Sequence, residues 1–134
     1  MILVDSSVLI DYFNGKDNWQ VEKLDQILGK EFVVIGDYIL VEVLQGFQND
    51  KNFETAKNVL SSFPCLSMLG KEIAIKCAKN YRTLRKKGIT IRKTIDVIIS
   101  TFCIENDIQL LHNDKDFFPF EKYLGLKSVS LKSS

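Results

Sequence analysis

Ile2-Leu3-Val4-Asp5-Ser6-Ser7-Val8-Leu9-Ile10-Asp11 is the stretch that decides the fold of this chain. Ile2–Val4 is a short run of branched apolar residues and reads as a buried strand. Asp5-Ser6-Ser7 then offers helix-capping side chains ahead of Val8-Leu9-Ile10 and Tyr12-Phe13, with Gly15 as a stop. A strand that passes straight into a helix, with a carboxylate at the junction, sets the pattern for the rest of the chain.

The same alternation continues outward. Asp17 or Asn18 caps a second helix with Val21, Leu24, Ile27 and Leu28 on one face. Phe32–Ile35 is the next strand, and Asp37 caps a helix through Ile39–Phe47. Phe53, Ala56, Val59, Leu60 and Phe63 repeat at helical spacing until Pro64. Leu66–Leu69 reads as a third strand and Lys71–Lys87 as a long helix ending at Gly88. Thr94 caps a helix through Ile104, Ile108–Leu111 is a strand, and Asp114–Phe120 is a short helix or turn. Ser128–Leu131 reads as a last edge strand, and Lys132-Ser133-Ser134 as a frayed end. Short apolar strands alternating with amphipathic helices imply α/β: a three-layer α/β/α sandwich on a mainly parallel central sheet.

Composition bounds the function. The 134 residues suit a single domain, 1–134, and 46% hydrophobic with 26% charged residues excludes a disordered chain. A net charge of +1 means that any nucleic-acid signal has to be local. Cys65, Cys77 and Cys103 are scattered in apolar segments without a CxxC pair, which reads as buried, reduced thiols in a cytoplasmic protein. The N-terminus lacks the layout of a signal peptide, and no apolar run approaches the roughly 20 residues that span a membrane.

Four acids stand where polar groups are costly: Asp5 after Ile2-Leu3-Val4, Glu42 within Ile39–Leu44, Asp96 within Ile95–Ile99, and Asp114 just after Leu110-Leu111. No basic residue stands beside them as an obvious partner, so a shared cation is the natural compensation. In open α/β sheets, sites lie at the carboxyl ends of strands, and all four acids can reach that end. Carboxylates without His or Cys companions suit a hard cation, Mg²⁺ or Mn²⁺, which clamps phosphate and activates water. Singly, each acid has an ordinary reading: Asp5 and Asp114 as helix caps, Glu42 as an exposed helix residue, Asp96 and Asp116 as first-turn acids.

Charge is unevenly placed. Lys76, Lys79, Arg82, Arg85, Lys86, Lys87, Arg92 and Lys93 fall in one stretch with no acid among them, and it leads into Asp96. Such a run binds phosphates, or it is the solvated face of a long helix. Arg85, Arg92 and Lys93 are the candidate nucleic-acid contacts. Tyr12, Phe13 and Trp19 either stack on bases or pack in the core.

The opening string resembles that of PIN-domain proteins. Gly88-Ile89-Thr90-Ile91-Arg92-Lys93-Thr94-Ile95-Asp96, with Ile98-Ile99, and Leu110-Leu111-His112-Asn113-Asp114-Lys115-Asp116-Phe117 resemble the VapC branch of that family. The resemblance runs from about residue 1 to 130. It implies the PIN fold and a Mg²⁺- or Mn²⁺-dependent endoribonuclease acting on structured RNA such as tRNA, the toxin half of a toxin–antitoxin pair. It implies Asp5, Glu42, Asp96 and Asp114 as the acidic quartet, with Asp116 as a fifth member, and Asp5, Asp96, Asp114 and Asp116 as metal ligands. Ser6 or Ser7 takes the hydroxyl position beside the first aspartate, with Ser7 as the supporting residue. His112 stands where many relatives carry Thr or Ser; it reads as a local hydrogen-bonding group rather than a general base. The resemblance further implies a homodimer, and an antitoxin surface around Tyr12, Phe13 and the Ile39–Phe47 helix. Two other classes stay open: a phosphatase-like α/β domain, disfavoured because Asp5-Ser6-Ser7 has no DxD, and a non-catalytic PIN-like scaffold, disfavoured by the presence of all four acids.

Overall fold

The computed structural model describes residues 1–131. Four strands, β1 (Ile2–Val4), β2 (Val33–Gly36), β3 (Cys65–Leu66) and β4 (Gln109–Leu111), pair in the order β3-β2-β1-β4. Every pairing is parallel, with Val4 opposite Leu111 and Leu3 opposite Val34. β1 and β2 are buried along their whole length. That is why they read as unbroken apolar runs: helices cover both faces of a parallel sheet.

The helices are α1 (Ser6–Phe13), α2 (Trp19–Ile27), α3 (Asp37–Leu44), α4 (Asp50–Leu60), α5 (Lys71–Lys86), α6 (Thr94–Asn106) and α7 (Phe118–Leu124), with a 3₁₀ turn at Lys115–Phe117. The fold is the α/β sandwich expected from the alternation. α6 is apolar nearly all round, and Val97 through Cys103 are buried on it without a break. The chain leaves β1 for β2 on one side and returns to β4 on the other. The strand order therefore reverses at β1, and the crevice lies between the carboxyl ends of β1 and β4.

Several expectations are corrected. The third strand shrinks to Cys65–Leu66, because the Met68 N–H turns away to the Asp37 carboxylate at 3.2 Å. Met68 itself packs on Gly36, where a Cβ would stand 2.0 Å from its Sδ, so a larger residue there would force the Met68 side chain to move. Asp37 is the first residue of α3 rather than its cap: Gly36 holds the cap position, and Asp37 Oδ1 accepts the N–H groups of Tyr38 and Met68. Thr94 likewise opens α6, with Lys93 at the cap. Ser128–Leu131 yields one parallel bridge, Ser128 to Leu110. Leu110 alone supplies the ladder bonds, its N–H to Lys127 and its carbonyl to Val129, so pairing ends after one position. Cys77 and Cys103 are buried as expected, but Cys65, on the edge strand, is exposed. Lys132-Ser133-Ser134 lie outside the described residues.

Candidate metal centre

Asp5 follows β1 directly and caps α1. Its Oδ2 accepts the Ser7 N–H at 3.0 Å and the Ser7 hydroxyl at 2.6 Å. The same hydroxyl accepts the backbone N–H of Asn113 at 2.9 Å, just past β4. Ser6, one residue earlier, donates to Glu42 Oε1 at 3.0 Å and so ties α3 to the start of α1. Both serines are used, each holding a different acid.

Asp96 sits buried in the first turn of α6, whose N-terminal dipole end favours an acid. Asp114 caps the 3₁₀ turn by accepting the Asp116 N–H at 2.9 Å. One carboxylate oxygen from each of Asp96, Asp114 and Asp116 lies within 4.8 Å of the others. Adjacent ligands of an octahedral Mg²⁺ stand about 3 Å apart and opposite ones about 4 Å. The triplet is therefore close to the spacing for one hard cation, and its all-carboxylate donor set suits Mg²⁺ or Mn²⁺. Asp5 is outside that triplet. Its Oδ2 is committed to Ser7, and it adjoins the triplet through charge.

Electrostatics tie the acids together. Burial, followed by the charges of Asp114, Asp5 and Asp116, pushes Asp96 up to about 7, against the pull of Lys93. Burial raises Glu42 as well, with Asp5 and Asp114 adding to it while the Ser6 hydrogen bond and Lys93 work the other way. Asp5 is raised by burial against its hydrogen bonds to Ser7. Desolvated carboxylates that repel one another favour a cation between them.

His112 is buried. Its Nδ1 accepts the Asp114 N–H at 3.2 Å, so the ring proton sits on Nε2 and is directed to Glu121 Oε2 at 2.7 Å. Ser128 also donates to that Glu121 oxygen. With both ring nitrogens engaged, His112 orients Asp114 and is not free to act as a base. Asn113 is a linchpin that the sequence pattern missed. Its amide donates to Asp11 at 3.0 Å and accepts from Gln20 at 3.1 Å, joining α1, α2 and the end of β4. A polar residue between His112 and Asp114 carries no periodic signal that would have singled it out.

The basic run divides. Lys93 is close enough to act on both Glu42 and Asp96. Arg92 lines a cavity of about 310 Å³ together with Asp96 and Asp116. Arg85 instead lies 5.6 Å from the Tyr81 ring centroid, beside Cys77 and Val97 between α5 and α6. Lys76 is spent on an ion pair with Glu105. An apolar groove of about 410 Å³ runs between α1, α2 and α4, lined by Tyr12, Phe13, Leu28, Phe32, Val59 and Phe63. Trp19 is half-buried beside His112 and Asn113.

The family model for the PIN domain matches residues 2–122. Ribonuclease VapC1 of Methanocaldococcus jannaschii is 32% identical over 126 residues, 94% of this chain and 85% of that protein. Among solved structures, VapBC2 from Rickettsia felis bound to a promoter DNA fragment superposes with a TM-score of 0.78 at 16% identity, covering 96% of this chain and 98% of the other. A toxin–antitoxin complex from Klebsiella pneumoniae gives 0.71 at 18% identity with both chains fully covered. The family model spans the reversing sheet and every acid at its carboxyl end, and the VapC relative matches along nearly the whole length: the chain belongs to the PIN-domain family, in its VapC group.

Proposed function

We propose that this chain is a Mg²⁺- or Mn²⁺-dependent endoribonuclease that hydrolyses phosphodiester bonds of structured RNA, tRNA among them, and is the toxin of a toxin–antitoxin pair. The observation that carries the reading is the approach of Asp96, Asp114 and Asp116 to within 4.8 Å at the carboxyl end of the sheet, with Asp5 and Glu42 in the same electrostatic cluster. Asp96, Asp114 and Asp116 are the direct ligands, and Asp5 completes the anionic wall. A divalent cation held there supplies positive charge against the phosphate oxygens and a means of activating water.

In this reading Glu42, bonded to Ser6 and raised by burial, takes a proton from the attacking water. Ser7 orders the Asp5 carboxylate and the strand end that leads to Asp114. Arg92 and Lys93 hold the RNA backbone, supplying the phosphate contacts that an acidic pocket lacks. Arg85, near the end of α5, extends that contact.

The apolar groove between α1, α2 and α4 suits an amphipathic segment of the antitoxin. It shares Tyr12 and Phe13 with the surface implied by the resemblance, but α4 lines it in place of α3. Homodimerisation and a cytoplasmic location belong to the same reading. Among the described residues no helix is long and apolar enough to cross a membrane.

The test is cleavage of total RNA by the purified chain with Mn²⁺ or Mg²⁺, the 5′ ends mapped by sequencing. Discrete cuts are expected, lost on adding EDTA and lost in Asp96→Asn. Cuts that survive either treatment overturn the reading.

A further inference from the structure

Phe118 opens α7 and is 57% exposed, although the flanking Phe117 and Phe120 are fully buried and fill the core. Lone exposed aromatics are ordinary; the position of this one is not. It forms the wall between two cavities that flank the acidic cluster. One, of about 310 Å³, is lined by Arg92, Asp96, Lys115, Asp116 and Pro119. The other, of about 640 Å³, is lined by Trp19, Asn113, Asp114 and, again, Lys115. The His112 ring, 6.2 Å away and edge-on, backs one side of Phe118, while Pro119 stiffens the helix start.

Charge surrounds the ring. Arg92 and Lys115 both line the smaller cavity, and neither is in an ion pair among the described residues. Two cations without carboxylate partners therefore stand beside an exposed aromatic face, next to Asp96 and Asp116. A cluster of like-signed acids repels a phosphate, so the cations matter most at its rim.

We infer that Phe118, Arg92 and Lys115 form a nucleotide subsite for single-stranded RNA. A base next to the scissile phosphate stacks on Phe118, and its flanking phosphates lie against Arg92 and Lys115. Stacking accepts any base face, and the cations accept any phosphate, so the subsite places an unpaired segment without reading its sequence. It rests on the ribonuclease reading and adds to it the requirement that the cut lie in a loop or unpaired stretch.

The test uses a fluorescein-labelled 12-nucleotide single-stranded RNA carrying 2-aminopurine, and an abasic backbone of equal length. Both are titrated against the whole chain in Ca²⁺, with the oligonucleotide checked intact by gel. Phe118→Leu is expected to weaken binding of the base-bearing RNA by about 5- to 150-fold. It should abolish the quenching of 2-aminopurine and leave the abasic probe unchanged, while Phe118→Tyr retains both affinity and quenching. Replacing Arg92 and Lys115 together by Gln should weaken both probes and flatten the slope of log K against log salt by about 1.4. Equal binding by Phe118→Leu, or equal weakening of both probes, overturns the subsite. Mn²⁺-dependent cleavage of total RNA, run alongside, separates the two ideas. Cleavage with unaltered Phe118→Leu binding removes the subsite alone, whereas a wild type that neither cuts nor binds removes both.

Discussion

The Ser7 hydroxyl accepts the backbone N–H of Asn113 at 2.9 Å, joining residues 106 positions apart across the carboxyl ends of β1 and β4. The same oxygen donates to Asp5 at 2.6 Å. One hydroxyl thus sets both the rotamer of the first acid and the path of the chain toward Asp114. Loop residues that carry chemistry need this kind of anchoring, because their own backbone is not held in a ladder.

Ser7→Ala removes the bridge and leaves Asp5 capping through the backbone N–H alone. The expected stability loss is about 1–2 kcal/mol, read as a denaturant midpoint shift without a change in slope. Turnover should fall further than that loss explains, by about 10- to 100-fold, with KM little altered, because Asp114 loses its register against Asp96. Ser7→Thr keeps the hydroxyl and should recover most of the rate. A variant in which Ala and Thr behave alike would remove the bridging role.

His112 and Glu121 form the second support. Glu121 accepts the imidazole proton, which leaves Nδ1 as the acceptor for the Asp114 amide. Glu121→Gln weakens that hold without deleting a site acid. Its expected effect is a roughly 5- to 30-fold loss of turnover, about 1–2 kcal/mol in the barrier. His112→Ala should cost at least as much, and the double variant no more than His112→Ala alone, because the two act in series. Additive losses would show that Glu121 acts on the site by a different route.

The basic run offers a sharper discrimination. Lys93 acts on Glu42 and Asp96, and Arg92 lines the adjoining cavity, whereas Lys76 is paired with Glu105. Arg92→Ala or Lys93→Ala should weaken RNA binding and reduce the salt slope by about 0.7 each. Lys76→Ala should leave both unchanged. Fluorescence anisotropy across a salt series measures these slopes, and a slope change for Lys76→Ala equal to that of Arg92→Ala would return the run to a uniformly solvated helix face.

How much of this was legible beforehand differs by feature. β1 and α1 were plain, because a branched apolar run followed by Asp5-Ser6-Ser7 leaves few local alternatives. β3 was misplaced: Leu66–Leu69 is apolar enough for a strand, but Met68 is taken by Gly36 and Asp37, a contact 31 residues away in sequence. Asp96 and Asp114 were recognisable as acids at apolar margins, whereas Asp116 came only with the resemblance; the folded chain adds that these three approach within 4.8 Å while Asp5 Oδ2 is bonded to Ser7. Asn113, Lys115 and Phe118 were invisible as site residues, since each reads singly as an ordinary loop or surface position. Arg85 belongs to the same basic run by sequence; the folded chain adds that its guanidinium lies 5.6 Å from the Tyr81 ring centroid on α5.

The repulsion within the acidic cluster has a measurable consequence for stability. Burial and neighbouring acids lift Asp96 from the ordinary 3.8 to about 7 in the folded chain. Between those values the folded state holds a proton that the unfolded state has lost. Its contribution to stability is therefore full below about pH 4 and disappears as pH rises to about 7. Asp5, raised by burial, and Glu42, raised by burial with the charges of Asp5 and Asp114, act in the same direction. In EDTA the melting temperature should fall between pH 5 and 8. Asp96→Asn should fall less and exceed wild type at pH 8, by about 2–6 °C, while cleaving no RNA. Added Mn²⁺ should raise the wild-type melting temperature more at pH 8 than at pH 5, where protonation competes for the ligands, and should do little for the variant. A variant that melts at or below wild type at pH 8 in EDTA would mean that Asp96 is already compensated within the protein, and that the cluster has no electrostatic need of a cation.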